Sequence, residues 1–199
     1  ENPDLLFVIG DREESIATAL VGNYMNILTA HFGGGDTVFG NADDPIRFAV
    51  SKLAHIHLTI AEEYAKNLIR VGEEHFRVFN VGNPSYENIN KEKTLSLEEI
   101  SEKLNFDISD GKYIVLLKHP LSSEMEDAFS QMKVTLEAIE KFNTQTGYKV
   151  IGIYPNTDPG SYDIINAIKK YDNSSYIKFF KNLPRNLFIN VMRNSKALA

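Results

Sequence analysis

The chain has 199 residues, 43% hydrophobic and 24% charged, the make-up of an ordinary globular protein able to bury a core in one or two domains. Its formal net charge of -6 at pH 7 argues against broad, sequence-independent nucleic-acid binding, which needs clustered Lys and Arg to neutralise phosphates. With no cysteine, disulfides and thiolate metal sites are excluded.

The amino terminus, "ENPDLLFVIGD", lacks the charged and apolar regions of a signal peptide, and no apolar run approaches the ~20 residues that span a bilayer. No membrane partner is expected, and the expected compartment is the cytoplasm. An apolar strand begins almost at once and the end "FINVMRNSKALA" has no terminating signal, so the chain reads as an internal piece of something longer.

Short apolar runs then alternate with segments of helical period: "DLLFVIG", "NILTAHF", "HIHLTIA", "FRVFNVG", "KYIVLLKH", "YKVIGIYP" and "SYIKFF". Most are apolar at consecutive positions, as in parallel strands covered on both faces, so the expected fold class is α/β with βαβ units. The helices between them have readable ends. Asp44 before Pro45 reads as an N-cap followed by Ile46, Ala49, Val50 and Leu53 at helical spacing. Ser96 with Glu99 and Ser123 with Glu126 form capping-box patterns, the second ahead of Phe129, Met132, Leu136 and Ile139, and Gly147 suits that helix's end. The polar segment 83–94, "NPSYENINKEKT", is the expected boundary between two α/β blocks, 1–86 and 87–199.

In an open α/β sheet, ligands bind beyond the carboxyl ends of the strands, where helix N-termini also point. The polar residues expected there are Asp11 and Arg12, His31, His119, and Asn156 with Asp158. Each also has a purely structural reading. Asp11 with Glu14 fits an N-cap, Asp44 fits another, and Asp43 fits a solvated loop. His31 and His119 fit satisfied histidines at a sheet edge, and "NTDPGS" fits a turn plus cap. His55 and His57 alternate on one strand face without a third ligand, so they read as packing and no metal is expected. The three consecutive glycines lack both the Lys-Ser/Thr of a P-loop and the G-x-G-x-x-G pattern. Asn173-Ser174-Ser175 matches a glycosylation acceptor by chance.

The motifs "GDRE", "HFGGGD", "DDPIRFAVSKLAHIH", "RVFNVGNPSY", "KHP" and "YPNTDPGS" follow the order and spacing of the UDP-N-acetylglucosamine 2-epimerases. The sequence resembles the hydrolysing branch, used in sialic acid synthesis, more than the branch that epimerises without hydrolysis. Such proteins are about twice as long and have two Rossmann-like domains in the GT-B arrangement. By this resemblance the chain is the second half of the first domain (1–86) joined to the first half of the second (87–199).

The resemblance implies a reaction without a cofactor. UDP-N-acetylglucosamine loses its C2 proton and expels UDP from C1 to leave a glycal, and water then adds to give N-acetylmannosamine. It also implies roles. Asp11 matches an acid–base carboxylate, and Asp43 and Asp44 match an acidic pair of which one serves likewise. His119 matches the histidine that reaches the diphosphate. Arg12 and Asn156 match substrate-binding positions, His31 is placed with them, and Lys181 and Asn182 lie where the uridine-binding backbone is found. Gly33 departs from the pattern, since many relatives carry a glutamate there; either Asp36 supplies the carboxylate, or this branch works without it, or the chain is inactive.

Two phosphate-contacting loops of the family have no counterpart in these residues, so the 199 residues alone are expected to lack full activity. A homodimer is expected because dimers are common in the family. Two other readings stay open: an epimerase for another nucleotide sugar or without hydrolysis, and a non-catalytic nucleotide-sugar-binding module.

Overall fold

The computed structural model describes residues 2–38, 43–171 and 174–199, and the backbone alone at Ser122. The sequon at Asn173 lies outside the described residues. The chain divides into two compact units, Glu1–Tyr86 and Glu87–Ala199.

In the first unit β1 (Leu5–Ile9), α1 (Glu13–Tyr24), β2 (Leu28–Phe32), α2 (Asp43–Leu53), β3 (Ile56–Thr59), α3 (Glu62–Arg70) and β4 (Val78–Asn80) alternate along the chain. The strands form one parallel sheet in the order β1-β2-β3-β4, with Val8 opposite His31 and His31 opposite His57. With parallel strands in sequential order, the right-handed crossover rule sets the intervening helices on one face. That face carries Leu6, Val8, Thr29, His31 and His57, and Val8 packs with Ala19 of α1 and Val50 of α2. The opposite face presents Leu5, Phe7, Ile9 and Leu28, all exposed. The helical side of this sheet is therefore unusually polar. Thr29, His31, His57 and Thr59 are all fully buried there.

The second unit contains α4 (Ser85–Lys91), which starts just before the division, then α5 (Leu97–Leu104), β5 (Tyr113–Leu117), α6 (Ala128–Thr146), β6 (Lys149–Ile153), α7 (Ser161–Ile168), β7 (Ile177–Phe180) and α8 (Arg185–Asn194). Its strands are parallel in the order β5-β6-β7, and residues 196–199 run along β5 with Leu117 N–H donating to Ala199 O at 2.8 Å. Here both faces are covered. Ile114, Leu116 and Val150 pack with Met132, Leu136, Ile139 and Ile164 of α6 and α7. The alternate residues Tyr113, Val115 and Ile151 pack with Ile100, Leu104, Leu187 and Val191 of α5 and α8. The period-two alternation of a strand divides one apolar run between two cores, which is why these strands read as continuous hydrophobic stretches.

All seven apolar runs are strands. The capping box of α5 forms as expected, with Glu99 N–H donating to Ser96 Oγ at 3.2 Å and Ser96 N–H to Glu99 Oε2 at 2.8 Å. Gly147 ends α6 at φ 73°. The division between the two units lies within segment 83–94, which also contains helix α4. Two expectations need correcting. The Ser123–Glu126 box does not form: residues 122–127 make a 3-10 turn, and α6 begins at Ala128 with Asp127 before it. In addition, α2 already begins at Asp43, so Asp44 lies inside the helix and not at its cap.

Candidate functional site

In the first unit the site starts where β1 ends. Arg12, not Asp11, occupies the N-cap position of α1, and Glu13 and Glu14 fill the first turn, where the helix dipole favours carboxylates. Asp11 is free of the capping role because its carboxylate is taken by Arg47 of α2: Nη2 of Arg47 pairs directly with Asp11 Oδ2. Arg47 is only 7% exposed, and its other terminal nitrogen, Nη1, donates to the Asp36 carbonyl at 2.8 Å and lies 3.7 Å from Asp44 Oδ1. One planar guanidinium thus ties three acidic residues from three segments. Its Nε, also enclosed, has no hydrogen-bond partner among the described residues and is a donor left over in the site.

One turn along α2, Ser51 Oγ lies 3.1 Å from Arg47 O and 3.0 Å from His31 Nδ1, while His31 Nε2 lies 2.8 Å from Gly10 O. A carbonyl only accepts, so Nε2 carries the proton and Nδ1 accepts from Ser51. Burial pushes the His31 pKa below its usual value, more than the Gly10 bond raises it, and the ring stays neutral. His31 is fully buried on an interior strand with both nitrogens engaged. It is neither an edge histidine nor a lining residue; it fixes the Gly10 turn, and hence Asp11, to α2.

The loop after β2 passes close beneath α3. Gly35, at φ +81°, has no room for a side chain, since a Cβ would lie 2.2 Å from Tyr64 O. Gly33, at φ +82°, has open space, with nothing nearer than 3.9 Å. A glutamate at 33 would be obstructed by backbone conformation and not by crowding. Asp36 follows, its carboxylate close enough to the Tyr64 hydroxyl to raise that group's pKa, and Val38 N–H donates to Asp44 Oδ1 at 2.7 Å. Residues 39–42 of the loop lie outside the described residues. Asp43 and Asp44 sit in the first turn of α2, where their charges oppose the helix dipole favourably.

His57 is not simply packing. Its Nε2 lies 3.1 Å from Glu73 Oε2, and Glu73, almost fully buried, also holds Lys52 at 2.6 Å and Arg77 at 2.5 Å. Burial, helped by Arg77, lowers the His57 pKa to about 4 against the pull of Glu73. His55 accepts the Thr29 N–H at 3.2 Å. Among the described residues no three His, Asp or Glu side chains converge as metal ligands.

In the second unit His119, Asn156 and Lys181-Asn182 follow the neighbouring strands β5, β6 and β7. The Asn156 N–H donates to His119 Nδ1 at 3.2 Å, so the neutral ring carries its proton on Nε2 as a donor. Asn156 Nδ2 donates to Asp158 Oδ2, and Asp158 N–H returns to Asn156 Oδ1 at 3.3 Å, closing a tight turn ahead of α7. Gly160 sits before α7, where a Cβ would lie 3.1 Å from Pro120 Cβ, so the start of α7 lies against the "KHP" segment. An imidazole donor beside a helix N-terminus is chemistry suited to a phosphate.

Sequence reasoning missed Arg47, Ser51 and Tyr64. Arg47 could have been found, because it interrupts the apolar face of α2 at the spacing that brings it under Asp44. Tyr64 carries no such signal.

The chain matches the family model described as UDP-N-acetylglucosamine 2-epimerase over residues 1–199. It is 31% identical over 198 residues to the UDP-N,N'-diacetylbacillosamine 2-epimerase (hydrolyzing) of Legionella pneumophila, covering 100% of this chain and 51% of that protein. It is 32% identical over 177 residues to the UDP-N-acetylglucosamine 2-epimerase of Neisseria meningitidis, covering 89% and 45%. The crystal structure of UDP-GlcNAc 2-epimerase from Neisseria meningitidis bound to UDP-GlcNAc superposes with a TM-score of 0.79 at 17% identity, over 98% of this chain and 54% of that one. The chain spans about half the length of the curated relatives it matches. With a family match over all its residues and a parallel α/β architecture shared with a solved member, the chain belongs to the UDP-N-acetylglucosamine 2-epimerase family.

Proposed function

We propose that the complete protein is a hydrolysing 2-epimerase that converts UDP-N-acetylglucosamine to UDP and N-acetylmannosamine. The observation that carries this reading is Arg47, which contacts Asp11, Asp36 and Asp44 at once. Removing a weakly acidic C2 proton needs a placed base, and returning a proton on the other face needs a placed acid. Asp11, with Asp43 or Asp44, serves these roles, Asp36 supplies the carboxylate of the glycine loop, and Arg47 pairs with the Asp11 carboxylate, lies beside that of Asp44 and holds the Asp36 backbone carbonyl. Arg12 binds substrate. His119 and the start of α7 neutralise the departing diphosphate, Asn156 orients His119, and Lys181 and Asn182 hold the uridine. His31 supports the acids from beneath.

The hydrolysing assignment is supported by the relative from Legionella pneumophila, whose name specifies hydrolysis. The same relative favours one second reading, in which the sugar is N,N'-diacetylbacillosamine and the chemistry is unchanged. The test is product analysis with the complete protein and each UDP-sugar. Stoichiometric UDP and free 2-epimerised sugar support hydrolysis; a 2-epimeric nucleotide sugar with UDP still attached refutes it.

A further inference from the structure

We propose that Tyr64 and Asn67 of α3 are positioning residues for Asp36, holding the glycine loop and its carboxylate in the reactive arrangement. The proposal rests on the reading of Asp36 as one of the reacting groups. Two residues of the loop are gripped from two helices. Asn67 Nδ2 donates to the Gly35 carbonyl at 3.0 Å, and Arg47 Nη1 of α2 donates to the Asp36 carbonyl at 2.8 Å. Gly35 packs so closely under Tyr64 that only a hydrogen fits between its Cα and the Tyr64 carbonyl. Leu68 lies 3.1 Å from the same point and closes the floor.

With the backbone held at 35 and 36, the Asp36 side chain is brought beside the Tyr64 hydroxyl. Tyr64 and Asn67 are three residues apart, on one face of α3, so a single helix face supplies both the backbone grip and the side-chain grip. The phenol reports the contact: the Asp36 carboxylate raises the Tyr64 pKa above 10.0, with Glu63 adding to the effect and Arg47 opposing it. A carboxylate held beside one hydroxyl is restricted in rotamer yet keeps lone pairs for a substrate proton.

The experiment has two arms, with the melting temperature of each variant as the folding control. In the first, the absorbance difference between wild type and Tyr64→Phe isolates one phenol, and the same difference is taken in an Asp36→Asn background. The expected result is a midpoint above the ordinary tyrosine value that falls back in Asp36→Asn; equal midpoints overturn the proposal. In the second, Tyr64→Phe in the complete protein is expected to lower kcat for C2 proton exchange on the order of tenfold while KM changes less than about twofold. An unchanged kcat overturns the proposal. Failure of the proposed function shows differently: Asp36→Asn would then exchange the proton at the wild-type rate, while the titration still decides the contact.

Discussion

Arg47 of α2 and Asp11, beyond the end of β1, are 36 positions apart in the chain and form a direct, almost buried ion pair. Truncating one partner of such a pair strands the other charge, at a cost of about 3 kcal/mol or more. Arg47→Met should therefore lower unfolding free energy by about that amount in urea titration. Because the loss is the stranded carboxylate, adding Asp11→Asn should recover part of it; strict additivity would mean that the two side chains do not interact.

The two loop glycines should respond differently to the same substitution. Gly35→Ala meets the Tyr64 carbonyl as well as an unfavourable φ, whereas Gly33→Ala meets only the unfavourable φ. Gly33→Ala should cost about 1 kcal/mol and Gly35→Ala clearly more, at about 2–3 kcal/mol. Thermal melts of the two variants give the comparison, and equal losses would place the loop away from α3.

Acid should weaken the first unit through its two buried histidines. His31 and His57 are held neutral in the fold, His57 with a pKa of about 4, while in the unfolded chain both titrate near 6.5. Between those values the unfolded chain binds more protons, so the stability conferred by the neutral rings is complete above pH 6.5 and is lost as pH falls towards 4. Denaturation midpoints between pH 7 and pH 5 should slope downwards, less steeply in His57→Asn. A wild-type profile that is flat over this window would contradict the buried neutral assignment.

His119→Ala in the complete protein removes a donor proposed for the diphosphate. Loss of one hydrogen bond to a charged group, about 1.5–3 kcal/mol, corresponds to UDP affinity weaker by roughly ten- to a hundredfold. Calorimetric titration with UDP measures it, and unchanged affinity would remove His119 from the site.

The strands were legible because buried parallel strands are long apolar runs, as in "KYIVLLKH", where Tyr113 and Val115 serve one core and Ile114 and Leu116 the other. The α5 capping box was legible because all its bonds lie within four residues. What failed was whatever depended on partners distant in sequence. Asp11 followed by Glu14 looks like a cap, and only the fold brings Arg47 to compete for that carboxylate. His31 looked like a ligand because it ends a strand, and the enclosing Ser51 and Gly10 contacts come from two other segments. The relation of Tyr64 to Asp36 depends on the close approach of Gly35 to α3, which leaves no periodicity to read.

Transfer of the C2 proton by Asp11 and its acidic neighbours is tested most directly by running the complete protein on its UDP-sugar in deuterated water. Wild type should give product carrying deuterium at C2, and Asp11→Asn should incorporate it on the order of a hundredfold more slowly. Product from wild type without deuterium at C2, or an unchanged rate in Asp11→Asn, would contradict the account.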